Sequence, residues 1–203
     1  MTEVRLTRKG QATRDRIVAA ASELMFERGV AGTSTDDVRA AAGVSTSQIY
    51  HYFSDKRTLV LAVIAHQTEA VLTTQEPLLS TLDSLEALRA WRDFLVALQQ
   101  GYGCRGGCPI GSLGSELADV DDEARQAVAT GYTRWETSIR AGLHAMRDRG
   151  DLRPDADPDR LALATLTALQ GGLLLTQVRR DTVALEAALD SMIDHIGSFA
   201  PPR

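Results

Sequence analysis

The sequence is poor in the residues that fix a fold by chemistry. It has two cysteines, Cys104 and Cys108, and its first residues, MTEVRLTRKGQ, contain no apolar core. Neither a disulfide framework nor a secretory signal is expected, and the setting it suggests is reducing and cytoplasmic. The histidines at 51, 66, 144 and 195 show no ligand spacing around the two sulfurs. A metal site wants about four donors, so neither metal nor cofactor is expected. No stretch alternates in the manner of a strand. The most apolar window, LALATLTALQGGLLLTQV (161–178), is broken by Thr165, Thr167, Gln170 and Gly171-Gly172. It is short for a bilayer span of about 20 apolar residues and reads as a buried helix, so no membrane partner is expected. Nor is there a nucleophile with a base at an informative spacing: His144 and Cys108 stand alone, which argues against an enzyme.

Charge is moderate but unevenly placed. The whole chain carries −5, whereas residues 1–57 carry +2 and the remainder −7. A weakly basic head on an acidic body fits contact with a polyanion at one end only, although a solvated helix start would look the same. Aromatics make up 5% of the chain, yet Tyr50, Tyr52 and Phe53 crowd around His51. One helix can bury about half of four consecutive large side chains, because neighbours point about 100° apart.

Helical spacing recurs throughout, so the expected class is all-α with about nine helices. Ile17, Ala20, Ala21, Leu24 and Met25 mark a first helix that begins at Thr7 or Thr13 and stops at Gly29. Ser34 or Thr35 caps a second, TDDVRAAAG, and Ser45 a third over 46–53. Ser54 caps a long fourth helix ending near Pro77. Further helices are expected over 84–100, from Pro109, over 121–149, 158–179 and 182–198. The division expected is a head of residues 1–57 and a larger body of 58–203.

Two short helices joined by Ala-Gly-Val-Ser and preceded by a longer one are the signature of a helix-turn-helix. Ile49 and Phe53 share one face, which with Leu24, Val38, Val44 and Leu59 can form a small core. Thr46, Ser47, Gln48, Tyr50 and His51 are then left on the opposite face, with Tyr52 at the rim or against the fourth helix. Hydroxyls and amides of this kind can read base edges, and tyrosines can reach phosphates or thymine methyls. Lys56 opens the next helix, where a cation is disfavoured, which suggests an external phosphate.

Residues TRDRIVAAASELMFERGVAGTSTDDV, AAAGVS and IYHYFSDKRTLVLAV together resemble the TetR family of bacterial transcriptional regulators. Arg39 stands where the family usually has a small residue. The resemblance implies a homodimer that binds a pseudo-palindromic double-stranded operator and releases it when a small-molecule effector enters the second domain. It also implies phosphate contacts for Thr33, Thr35 and Lys56. Thr46, Ser47 and Gln48 would face bases, with Tyr50, His51 and Tyr52 on the groove wall and backbone, and Ser45 is counted among the DNA-binding residues. Arg5, Arg8 and Lys9 could reach a neighbouring groove or form a frayed tail.

In the body, a pocket is expected from Trp91, Phe94, Tyr102, Leu113, Tyr132, Trp135, Leu143 and His144, with Gln170 and Thr167 as polar anchors. CPIGSLGSEL resembles a subset of TetR-type regulators that sense lipophilic or aromatic compounds. Mid-helix glycines cost roughly 1 kcal/mol each, which close approach of another helix would offset. A dimer surface is therefore expected from Thr167, Gly171, Gly172 and Leu175 with Leu189, Met192, Ile193 and Ile196. Cys104 and Cys108 could form a thiol switch, or simply pack in a tight turn.

Overall fold

The computed structural model describes residues 6–202, and every regular element among them is helical. Nine helices follow one another: α1 (Arg8–Arg28), α2 (Thr35–Ala42), α3 (Thr46–Tyr52), α4 (Lys56–Leu79), α5 (Leu85–Gly101), α6 (Pro109–Leu117), α7 (Asp122–Asp148), α8 (Pro158–Arg179) and α9 (Val183–Gly197). Contacts divide the chain into two compact units. The first holds the chain up to Ala70 together with Ser112–Val128; the second holds Val71–Gly111 and the chain from Ala129 onward. The boundary expected at 57/58 falls just inside α4.

In the first unit, side-chain caps set the helix starts. Thr7 caps α1 by accepting from the Gly10 amide at 3.1 Å, which decides between the two candidate starts. Ser34 and Ser45 each form a reciprocal capping box, with Asp37 and Gln48 as the returning side chains. The Asp37 carboxyl is lowered chiefly by its bond to the Ser34 hydroxyl. Gly29 (φ 76°) ends α1, and Gly43 (φ 61°) ends α2 in the left-handed conformation that glycine adopts without strain. Asp55, rather than Ser54, caps α4: its carboxylate accepts from the Thr58 amide at 2.7 Å.

The core of this unit is built from Ile17, Val18, Ala21 and Met25 of α1, Val38, Val44, Ile49, Phe53 and Leu59. Leu24 and Ala20 are only half-buried, so the buried stripe of α1 is turned slightly toward Val18 and Ser22. Arg16 Nε donates to the Ala42 carbonyl at 2.9 Å, which closes the end of α2 from α1. The Arg14 guanidinium lies 5.2 Å from the Phe53 ring centre. Part of the basic excess at the head is thus spent inside it.

In the second unit, α8 packs on α9 and α9 on α5. Helix α8 is long and apolar enough to cross a membrane by length and composition. Its buried face, from Leu161 through Leu166, Leu169 and Leu173 to Thr176, belongs to the core of this unit. Helix α4 runs past the stop expected at Pro77 to Leu79. A proline that close to a helix end deletes one amide donor and leaves the last turn otherwise intact. One turn earlier the buried Gln75 accepts from Trp91 Nε1 at 2.9 Å, which accounts for a polar side chain in this core.

Candidate nucleic-acid interface and effector region

Helix α3 has seven residues and would not persist alone. Three features hold it: the Ser45 box at its start, Ile49 driven into the core, and Phe53 buried just past its end. With those two anchored, helical geometry forces Thr46, Ser47, Gln48, Tyr50 and His51 outward, and all five are exposed. Tyr50 is 56% exposed, an unusual state for a large aromatic that meets only water. Ser45 is exposed but committed: its hydroxyl accepts from the Gln48 amide and lies 2.9 Å from the Ser47 hydroxyl. Gln48 spends its amide oxygen on the Ser45 N–H at 2.9 Å, which fixes its side chain and leaves the NH2 end as its outward donor.

Other residues expected at this surface are placed differently. Tyr52 is half-buried and meets His51 edge-on at 4.8 Å. Its hydroxyl lies 3.5 Å from where a Cβ on Gly10 would stand, so it reaches the first turn of α1. Thr35 is half-buried at the first position of α2. Thr33 is 1% exposed and its hydroxyl donates to the Gly29 carbonyl at 2.9 Å, which leaves no side-chain surface for a phosphate. Lys56 is half-buried, and its ammonium donates to the Val30 carbonyl at 2.6 Å. The misplaced cation thus has an internal acceptor, and its position alone does not call for an external anion. Arg8 and Lys9 are exposed at the start of α1, and Arg5 lies outside the described residues.

One group of functional interest escaped the sequence reading. Glu116 accepts from the amides of Val30 and Ala31 at 2.8 and 2.6 Å. Arg57 grips Asp121 through two bonds of 2.6 and 3.1 Å and pairs with Glu123 at 2.8 Å. The available signal was an acid in the last turn of a helix, where the macrodipole disfavours it.

In the second unit, Tyr132 donates to Gln170 Oε1 at 3.3 Å, next to Cys108 and Gly111. Burial, with Cys108 beside it, raises the Tyr132 phenol. Trp135, one turn along α7, is 2% exposed, and its indole N–H has no hydrogen-bond partner among the described residues; the Gln170 side chain also hydrogen-bonds Cys108. Trp91 and Leu143 are buried and Phe94 is half-buried. Three other expected lining residues differ in exposure and surroundings. Tyr102 stands 63% exposed past the end of α5. His144 lies between Arg147 and Asp159 in a charged cluster with Arg140. Leu113 is buried, but in the stretch of α6 that belongs to the first unit.

Cys104 and Cys108 are both buried and are not joined in a disulfide. Burial raises the Cys108 thiol, whose sulfur accepts from the Gly111 amide at 3.4 Å. A thiol kept protonated and out of solvent is a poor nucleophile, so its evident role is at the start of α6.

The expected dimer surface is divided by the packing. Leu189, Ile193 and Ile196 are buried on the α9 face turned to α5 and α8, and Met192 is half-buried. At Gly172 α8 approaches α9 closely: a Cβ there would lie 2.9 Å from Leu185 Cα. A Cβ on Gly171 would point into open space, with no atom of another described helix within 4 Å. Gly171 shares an exposed face with Leu163, Thr167, Leu174, Leu175 and Val178.

A helix-turn-helix head with an exposed polar and aromatic third helix, followed by a helical second unit, defines a DNA-binding transcriptional regulator. The family comparisons agree: residues 17–63 match the bacterial regulatory proteins of the tetR family, and 84–192 match the tetracyclin repressor-like C-terminal domain. The chain belongs to the TetR family. An uncharacterized HTH-type transcriptional regulator of Mycobacterium tuberculosis is 31% identical over 185 residues, covering 87% of this chain and 90% of that protein. The HTH-type transcriptional repressor DhaR of a Mycobacterium species is 26% identical over 188 residues, 88% of this chain and 93% of its own. The crystal structure of a TetR transcriptional regulator from Chloroflexus aurantiacus superposes with a TM-score of 0.79 at 31% identity, covering 96% and 98% of the two chains.

Proposed function

We propose that this regulator is a homodimeric repressor in the cytoplasm that releases a pseudo-palindromic operator when a small apolar molecule binds its second unit. The observation that carries the DNA half is the exposed face of α3, where Thr46, Ser47, Gln48, Tyr50 and His51 stand in solvent while Ile49 and Phe53 are buried. Short polar side chains suit base edges, and Tyr50 and His51 suit the groove wall. Arg8, Lys9, Thr35 and the remaining donors of Lys56 supply phosphate contacts. In this reading residues 1–57 form the DNA-binding domain and 58–203 the effector and dimerisation domain. DhaR, a relative named a repressor, supports the sign of regulation.

Dimerisation is assigned to the exposed α8 face of Leu163, Thr167, Gly171, Leu174, Leu175 and Val178. An apolar strip of this kind is costly in water and suits a self-complementary contact across a two-fold axis. Such a dimer must hold its two recognition helices about 34 Å apart to enter successive major grooves on one side of the duplex. The effector is assigned to the region of Tyr132, Trp135 and Gln170, with Trp91 and Phe94 of α5 as further candidates. The buried Trp135 Nε1, which has no hydrogen-bond partner among the described residues, favours an apolar ligand that carries an acceptor oxygen.

Tyr50→Ala provides the test. On a duplex selected by the wild-type protein from random sequence, the variant should bind at least about tenfold more weakly at fixed salt while keeping its helical content. Unchanged affinity would remove α3 from the interface and the proposal with it.

A further inference from the structure

Resting on the assignment of α3 to DNA, we propose that Glu116 is a positioning residue for the DNA-reading head, the acidic half of a two-sided clasp on the turn between α1 and α2. Two charges stand at the wrong ends of their helices. Glu116 lies in the last turn of α6 and Lys56 is the first residue of α4, each where the helix dipole opposes it. Both are directed at the same residue. Glu116 Oε2 accepts from the Val30 N–H at 2.8 Å and Oε1 from the Ala31 N–H at 2.6 Å. From the other side, Lys56 Nζ donates to the Val30 carbonyl at 2.6 Å. Val30 is therefore held at its N–H by an anion and at its C=O by a cation, and charge-assisted bonds of this type are roughly twice as strong as neutral ones.

The turn is shaped to this carboxylate. Gly29 has φ 76°, and a Cβ there would stand 3.1 Å from Glu116 Oε2. The next residue after Lys56 repeats the arrangement, for Arg57 holds Asp121 bidentately and Glu123 through a further bond. Asp121 in turn accepts from the amides of Glu123 and Ala124, each at 3.0 Å, at the start of α7. Two adjacent cations that follow the DNA-facing helix thus bind the turn between α1 and α2 and the link between α6 and α7. All of these residues lie in the first unit, to which Ser112–Val128 belongs despite its distance in sequence. The setting of α2, and of α3 after it, is conditional on where Glu116 stands. A carboxylate displaced by about 1 Å breaks both amide bonds.

The near-isosteric Glu116→Gln tests this in the full-length protein. The amide keeps one acceptor and turns its NH2 toward a backbone N–H, so one bond is lost and a repulsion gained. Exchange of the Val30 and Ala31 amides should rise about tenfold. Affinity for the duplex selected by wild type should fall by about tenfold, while affinity for a scrambled duplex and its salt dependence stay as in wild type. A clamp that served the fold alone would lower the melting temperature and weaken both duplexes together, which would overturn the proposal, as would a variant equal to wild type on both. Glu116→Asp, which keeps the charge, serves for the same comparison if the glutamine variant does not fold. A wild-type protein that prefers no sequence would defeat the DNA assignment, a result distinct from failure of the clasp.

Discussion

Ser45 spends its hydroxyl and its backbone N–H inside the chain, and what those bonds hold in place is Gln48. Ser45→Ala should cost about 1 kcal/mol, read as a lower urea midpoint at unchanged slope. If the box also orients Gln48 toward DNA, operator affinity falls with it. Trp91 poses a second single-residue problem, since its indole N–H satisfies the buried Gln75 oxygen. Trp91→Phe keeps most of the apolar bulk and strands that oxygen, at a cost of about 1–3 kcal/mol in denaturant unfolding. Both anchors of α3, Ile49 and Phe53, could be read from a four-residue spacing, because a helix turns that spacing into one face. The bond from Trp91 to Gln75 could not, because it joins two helices and leaves no local pattern. Lys56 was legible only as an anomaly of charge, and its internal acceptor needed three dimensions.

The elements themselves were largely written in capping residues and apolar periodicity. Thr7, Ser34 and Ser45 mark starts, and Gly29 and Gly43 mark stops. The Gly171-Gly172 pair shows where such reading ends. One pattern suggested one close contact, whereas successive helix positions face different ways, so Gly172 meets α9 and Gly171 faces outward. Gly172→Ala should therefore destabilise the folded chain by about 1–3 kcal/mol. Gly171→Ala, measured at concentrations where the chain is monomeric, should gain up to about 1 kcal/mol from helix propensity. The link between α6 and α7 carries a pH signature as well. Asp121 is lowered to about 2, first by its bond to Arg57 and then by the Ala124 amide. A depressed folded value means that its contribution is present above the ordinary carboxylate range and is lost as pH falls toward 2. Asp121→Asn should flatten the acid limb of stability between about pH 4 and pH 2, seen in denaturation series across that window.

For the whole molecule, dimerisation through the exposed face of α8, as proposed, would be separable from folding. Leu174 and Val178 are 60% and 69% exposed, so changing both to Glu should leave helical content intact and shift sedimentation to a monomer. A monomer brings one recognition helix at a time, and its affinity for a two-half-site duplex should drop by about a hundredfold or more. Family membership was legible in the motif around residues 43–56, since the same few spacings that build the head also define it. The Glu116 clasp was not, because its partners stand 85 and 86 residues apart.

Selection of bound fragments from a random duplex pool bears most directly on the claim that the outward side chains of α3 read sequence. The wild-type protein should enrich an inverted repeat whose half-sites lie about one helical turn apart. A Thr46→Ala, Gln48→Ala double variant should retain weak, salt-dependent binding yet lose that enrichment. Recovery of no preferred sequence by wild type, or of the same repeat by the double variant, would contradict the account.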